Sequence, residues 1–267
     1  MYPKPRPYLS PLRKRLPGER RAVTIGIGFS CSDGIVLCAD RQMTGAGGFK
    51  FEQSKISGGG RDHWMILFTY AGDPDAAKVM LRKTCRQITA EMRKAKSDFK
   101  TIQAEKARAA LEKIFADKHT KGLQTLIGIR FDTSECYLFK TNERKVVEGF
   151  TEYIGGGDSS ALRYLCDFLF TGQVRDFTVD EASVIGSYIV SVANRYIDGC
   201  SGGPDVTSIR KSDGSVTDNS GGVFPAQKIS FSYCEEQIGK GLRELLWSGG
   251  TKEIVVQASS RPDNKAS

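Results

Sequence analysis

One early stretch constrains this chain more than any other. Val23, Ile25, Ile27 and Phe29 alternate with Thr24, Gly26 and Gly28. A period of two puts successive side chains on opposite faces of a strand. Asp33-Gly34 follows, a pair suited to a two-residue turn, and Ile35-Val-Leu-Cys-Ala-Asp40 returns as a second strand. A hairpin is therefore expected, with a lone hydroxyl, Thr24, on a glycine-lined face and a carboxylate, Asp40, on the next strand. The glycines are expected to leave room beside Thr24 for something to approach.

Phe49–Ile56 and Trp64–Tyr70 read as further strands around a Gly58-Gly-Gly60 turn. Asp73-Pro74 then opens a helix. Asp suits the N-cap, where its oxygen accepts free backbone N–H groups, and Pro suits the first turn, which needs no N–H. Ala77, Leu81, Cys85, Ile88 and Met92 continue at helical spacing, and Ala107, Leu111 and Ile114 mark a second helix. Strands over Leu123–Arg130 and Cys136–Lys140 precede helices over Ser159–Phe170 and Val179–Ile197. The second of these starts from the capping box Thr178-x-x-Glu181. Strands at Val206–Arg210, Lys228–Phe231 and Glu253–Gln257, with a helix over Cys234–Trp247, complete the reading. Helix pairs set between runs of antiparallel strands indicate a layered α+β fold rather than a βαβ alternation.

Residues 1–22 hold five of the nine prolines and seven Lys/Arg against one Glu, so six of the eight net positive charges lie there. The segment reads as a basic, unstructured leader or propeptide, residues 23–258 as a single domain and 259–267 as a disordered tail. The nearly balanced body argues against nucleic acid as a partner. No apolar run approaches the roughly 20 residues of a membrane helix. Seven scattered cysteines without a C-x-x-C pair argue against a disulfide framework and a zinc site, and for a reducing, cytoplasmic compartment. No metal or other cofactor is expected.

Two histidines, His63 and His119, limit the chemistry. Asp198-Gly-Cys-Ser201-Gly-Gly mimics the serine-protease nucleophile motif, but that reading needs a histidine base with its own partner, and neither histidine has such a setting. Gly155-Gly-Gly-Asp158 lacks the lysine of a P-loop and reads as a tight turn. Thr24, Asp40 and Lys55, each alone, read as ordinary structural residues. Their order changes this. A hydroxyl on a chain's first residue can use its own α-amino group as general base. A lysine nearby favours the free amine and the developing alkoxide. A carboxylate keeps that lysine charged, and a glycine N–H can hold an oxyanion. The chain offers Thr24, Asp40, Lys55 and Gly72 in that order, then Asp198 and Ser201.

On these residues the sequence resembles proteasome β-type subunits, within the N-terminal nucleophile hydrolases. Thr24 to Asp40 matches that family's opening hairpin without a gap, Lys55 fits its catalytic lysine with one deletion, and Tyr70-Ala-Gly72 resembles its oxyanion segment. Asp198 and Ser201, followed by Gly202-Gly203, match its second Asp and Ser. The resemblance implies a four-layer αββα sandwich of two antiparallel sheets flanked by helices. It implies a threonine-type peptidase cleaving polypeptides inside rings of the same or related subunits, with an ATPase ring as a partner. Thr24 is then the nucleophile and Lys55 tunes it. Asp40 holds Lys55, Asp198 and Ser201 orient the amine, Gly72 binds the oxyanion, and Tyr70 shapes the substrate pocket.

Two positions depart from the pattern. Val23 stands where active subunits carry the Gly before the nucleophile, and Gly156 stands where they place a serine. These departures keep two alternatives open: a structural subunit without activity, and an N-terminal nucleophile enzyme acting on a non-peptide amide.

Overall fold

A computed structural model describes residues 24–218 except 46–47, 62, 95–103, 117–121, 132–134, 143–144, 157–159, 171–172 and 198, together with Glu236 and Lys240. All described strands, and every helix described over more than single residues, belong to the unit that ends at Gly222. Of the second unit, Val223–Ser267, Glu236 and Lys240 alone are described, both helical. The strands expected at 228–231 and 253–257, and nearly all of the helix at 234–247, lie outside the described residues.

The hairpin forms as β1 (Ile25–Cys31) and β2 (Gly34–Asp40). The turn sits one residue earlier than the Asp33-Gly34 pair suggests: Cys31 pairs with Gly34, leaving Ser32 and Asp33 as the loop. Gly34 is needed inside the strand. A Cβ there would run into the Ile209 carbonyl and the Val179 side chain. Asp33 instead serves elements far along the chain, accepting from the Val179 N–H (2.6 Å) and the Arg210 guanidinium (3.1 Å). Gly34→Ala is expected to cost about 1–3 kcal/mol, the usual range for overpacking. The check is a lower denaturant midpoint at unchanged m-value.

After β2 the chain makes a small two-stranded ribbon, β3 (Gln42–Thr44) with β4 (Lys50–Glu52). Then come β5 (Ile56–Arg61) and β6 (Trp64–Ala71). The three glycines 58–60 do not form a turn; they lie inside β5, opposite Leu67, Ile66 and Met65. Close approach explains them, since a Cβ on Gly60 would stand 2.8 Å from the Trp64 carbonyl oxygen. The reversal comes after Arg61.

Helices α1 (Pro74–Lys94) and α2 (Ala104–Phe115) follow. Asp73 caps α1 as its sequence predicts, its carboxylate accepting from the Asp75 N–H at 2.9 Å. Next are β7 (Gln124–Phe131), β8 (Cys136–Asn142), β9 (Lys145–Glu148) and β10 (Thr151–Gly155). The last two were not expected from sequence. Both are short, and β10 is stabilised by pairing with β1, some 125 residues away along the chain. Helices α3 (Ser160–Leu169) and α4 (Val179–Tyr196) come next, the latter starting from the expected capping box. Strands β11 (Pro204–Arg210) and β12 (Val216–Asp218) close the described part.

The fold is α+β with antiparallel sheets. One runs β10-β1-β2-β11-β12 and the other β5-β6-β7-β8-β9. Apolar side chains bury themselves in three clusters. Ile25, Ile27, Phe29, Val36 and Cys38 gather with Leu162, Cys166, Ile189 and Val190 of α3 and α4. Ile66, Phe68, Ile127 and Ile129 gather with Met80, Ile88 and Leu111 of α1 and α2. Ile35, Leu37 and Ile154 meet Leu67, Leu126 and Leu138, joining one sheet to the other. This last cluster corrects the reading of the glycines beside Thr24. A Cβ on Gly26 would lie 2.6 Å from Ile154 Cγ1, and one on Gly28 2.9 Å from Leu138 Cδ1. The space is filled by inter-sheet packing and is not open for an approaching molecule.

Candidate active site

The two ends of the β1–β2 hairpin meet a loop from the other sheet. Thr24 precedes β1, Asp40 ends β2, and Lys55 stands between β4 and β5. Lys55 Nζ donates to Asp40 Oδ2 at 2.8 Å and to Thr24 Oγ1 at 3.3 Å. All three side chains are buried: Thr24 is 6% exposed, Lys55 1% and Asp40 0%. The first two distances link a hydroxyl, an amine and a carboxylate that lie up to 31 residues apart in sequence.

Asp40 is held from several sides. Its Oδ1 accepts from the Ile25 N–H at 2.8 Å, and its Oδ2 accepts from the Gln42 N–H at 3.2 Å as well as from Lys55. Burial raises its pKa, while the Lys55 ammonium and these N–H groups pull it back down. Burial likewise lowers the pKa of Lys55 below the ordinary lysine range, opposed by the Asp40 carboxylate. Lys55 is thus an amine held beside a hydroxyl in a buried setting, with less hold on its proton than a surface lysine.

Thr24 is pinned through its main chain. Its carbonyl accepts from the Gly156 N–H at 2.8 Å. Gly155, at φ +61°, lets the chain turn against that carbonyl, because a Cβ there would collide with the Thr24 oxygen. The Gly155 N–H donates to Gln124 Oε1 at 2.7 Å.

Ser201 reaches this centre through Gln42, which sequence reasoning missed. Its hydroxyl donates to Gln42 Oε1, while Gln42 Nε2 donates to the Gly199 carbonyl at 3.0 Å and the Gln42 N–H also meets the Ser201 carbonyl at 3.1 Å. Nothing in the sequence marks Gln42 except its place two residues after Asp40. Asp198 lies outside the described residues. Gly72 directly follows β6 at φ +124°, where a Cβ would stand 2.8 Å from the Gly122 carbonyl oxygen. The half-buried Tyr70 lies in β6, its hydroxyl 3.9 Å from Met43 Sδ. Burial raises the pKa of that phenol, helped by Asp75 and Asp73.

Among the described residues, the buried thiols are poor alternatives as nucleophiles. Burial raises the thiols of Cys31, Cys38, Cys136, Cys166 and Cys200, that of Cys200 to about 12, with Asp40 adding to it. A thiol so protonated is a weak nucleophile near neutral pH. Among the described residues no three His, Cys, Asp or Glu side chains converge as a metal site, and no helix is long and apolar enough to cross a membrane.

No protein-family model and no curated protein matches the chain. Solved structures do. An Anbu from Hyphomicrobium sp. strain MC1 superposes with a TM-score of 0.61 at 14% identity, over 86% of this chain and 100% of its own. A mutant of that protein, denoted Gly-1, gives 0.61 at 15% over 86% and 98%. The Anbu of Yersinia bercovieri, described as an ancestral beta-subunit, gives 0.60 at 12% over 83% and 96%. The chain has a proteasome-like fold. At these identities the likeness to Anbu extends to the fold alone.

Proposed function

We propose that this chain is the precursor of a threonine-type endopeptidase, cut between Val23 and Thr24. The observation that carries the reading is the buried contact of Lys55 Nζ with both Thr24 Oγ1 and Asp40 Oδ2, at 3.3 and 2.8 Å. The two five-stranded sheets with their three apolar clusters read as the four-layer αββα sandwich of N-terminal nucleophile hydrolases. The likeness to Anbu, one member described as an ancestral beta-subunit, supports assembly into rings of like or related subunits around polypeptide substrates. A ring ATPase as feeder and a cytoplasmic location belong to the same reading.

The chemistry follows from the residues. Once the leader is removed, Thr24 Oγ1 attacks the carbonyl carbon of a peptide bond and its proton passes to the freed α-amine. The amine hands that proton to the leaving nitrogen as the C–N bond breaks. A water deprotonated by the same amine then hydrolyses the acyl ester, releasing the carboxylate and restoring the Thr24 hydroxyl. That amine has a reference pKa of about 7.7–8.0, so much of it is available as base near neutral pH. The Lys55 ammonium lies where it stabilises the alkoxide as it forms, and Asp40 keeps it charged and aimed. The Gly72 N–H receives the carbonyl oxygen as charge builds there; one such donor is worth about 3–4 kcal/mol. Asp198 and Ser201 orient the amine. Tyr70 with Met43 narrows the pocket for the substrate side chain and favours small residues.

The intact mass of the purified protein, read beside peptide hydrolysis as a function of pH, tests the reading. The expected product begins at Thr24. Its kcat/KM rises as the amine deprotonates and falls again as Lys55 loses its proton, at a pH below the ordinary lysine value of about 10.4. A chain that keeps its leader in the assembled state and hydrolyses nothing sinks it. That outcome favours a structural subunit, for which Gly156 speaks directly: it gives Thr24 an N–H and brings no hydroxyl to the site. An N-terminal nucleophile enzyme for a non-peptide amide shows the cut N-terminus but rejects peptides.

A further inference from the structure

Lys55 is gripped at both ends. Its ammonium meets Asp40 and Thr24, while its main chain is held by a second carboxylate that the proposed reaction does not use. Asp205 lies on β11, paired with Ala39 of β2, and is wholly buried. Its Oδ2 accepts from the Ser54 hydroxyl at 2.7 Å, the Lys55 N–H at 2.8 Å and the Ile56 N–H at 3.3 Å. Three consecutive residues converge on one oxygen. On the other side of the loop the Gln53 N–H donates to the Arg41 carbonyl at 2.9 Å, so the segment is tied to the end of β2 as well.

A lysine side chain is long, flexible and entropically costly to hold. Where its ammonium ends up depends on where its Cα is fixed. We propose that Asp205 is the positioning residue for Lys55: by clamping the main chain of residues 54–56 to β11, it sets the lysine's reach to Thr24 Oγ1. The proposal rests on reading the Thr24–Lys55 pair as the reactive centre. It also gives the burial of a carboxylate a reason, since accepting charge-assisted hydrogen bonds from a loop is the arrangement that makes such burial tolerable.

The test uses the full chain with 15N-labelled lysine, the Lys55 Nζ resonance being assigned by its loss in K55M. In D205A the proposal expects a folded protein whose Lys55 resonance moves toward that of a solvated lysine. Its kcat is expected to fall about 100-fold with KM within about twofold, the size of loss that a small misplacement of a reacting group produces. D205N keeps an acceptor oxygen and is expected to restore both readouts to near the parent values. If D205A does not fold, S54A removes one of the three contacts, and a smaller displacement of the same resonance is expected. A folded D205A, or failing that S54A, with an unmoved Lys55 resonance overturns the proposal, even if activity falls with stability. Should the parent protein hydrolyse no peptide, the resonance still decides the positioning, so the two failures are told apart.

Discussion

Thr24→Ala is expected to reduce peptide hydrolysis by at least about 1,000-fold while leaving the fold intact. Removing one member of a concerted catalytic set costs from about 10⁴ to 10⁶ in kcat in a well-studied serine protease. The threonine side chain is 6% exposed and contributes one hydroxyl, whose partner is Lys55. Its loss leaves Lys55 bound to Asp40, so the buried charge stays compensated and the structural penalty is small. Thr24→Ser keeps the oxygen and drops the methyl that stiffens χ1. It is expected to retain activity within about tenfold, by the cost of a small loss of orientation. Both variants need their N-termini read by mass beside the assay, because the substitution sits at the proposed cut. Full activity in Thr24→Ala with a correctly placed N-terminus removes Thr24 as the nucleophile.

The second large effect falls on stability. Lys55→Met keeps the side chain's length and removes its charge, leaving Asp40 wholly buried without its cation. Breaking one partner out of a buried pair costs about 3–5 kcal/mol, well above the value of a surface pair. The deficit depends on pH in a definite direction. Burial already raises the pKa of Asp40, and Lys55 is the first of the groups that pull it back down. Without Lys55 the folded-state pKa rises further above the unfolded value of about 3.9. A carboxylate of that kind binds its proton more tightly folded than unfolded. The penalty is therefore largest at neutral pH, shrinks as pH falls through the folded pKa, and is gone below the unfolded one. Denaturant melts of parent and variant from pH 7 to pH 4 should converge. A gap that stays constant or widens toward acid contradicts the ion pair as the cause. Hydrolysis by Lys55→Met is expected to fall with Thr24→Ala, since the alkoxide loses its counter-charge.

Much of this molecule could be read locally. The period of two in β1, the Asp73-Pro74 start of α1 and the Thr178–Glu181 capping box at α4 each settle their own few residues, because hydrogen-bond geometry within a turn or a cap involves near neighbours. Where glycines were concerned the same reasoning failed. Gly58–Gly60 and Gly34 look like turn residues in sequence, yet they serve as strand residues that let another backbone or side chain come close. Gly26 and Gly28 admit Ile154 of the paired strand β10 and Leu138 of β8, both far along the chain, and no local signal distinguishes such a glycine from one that opens a path for a ligand.

The site divides along the same line. Residue types and order were enough to single out Thr24, Asp40 and Lys55, since a hydroxyl, a carboxylate and an amine are chemically legible wherever they stand. Their meeting was not. It depends on β1 and β2 ending side by side and on a loop from the other sheet reaching across to them. Gln42 and Asp205 became visible only there. Both act by holding main-chain or hydroxyl groups of other segments, as Gln42 does at residues 199 and 201 and Asp205 at residues 54–56. A hydrogen bond between residues some 150 positions apart leaves no mark on the spacing of either, so candidate residues can be named from composition and order while their alignment waits on the packing of the two sheets.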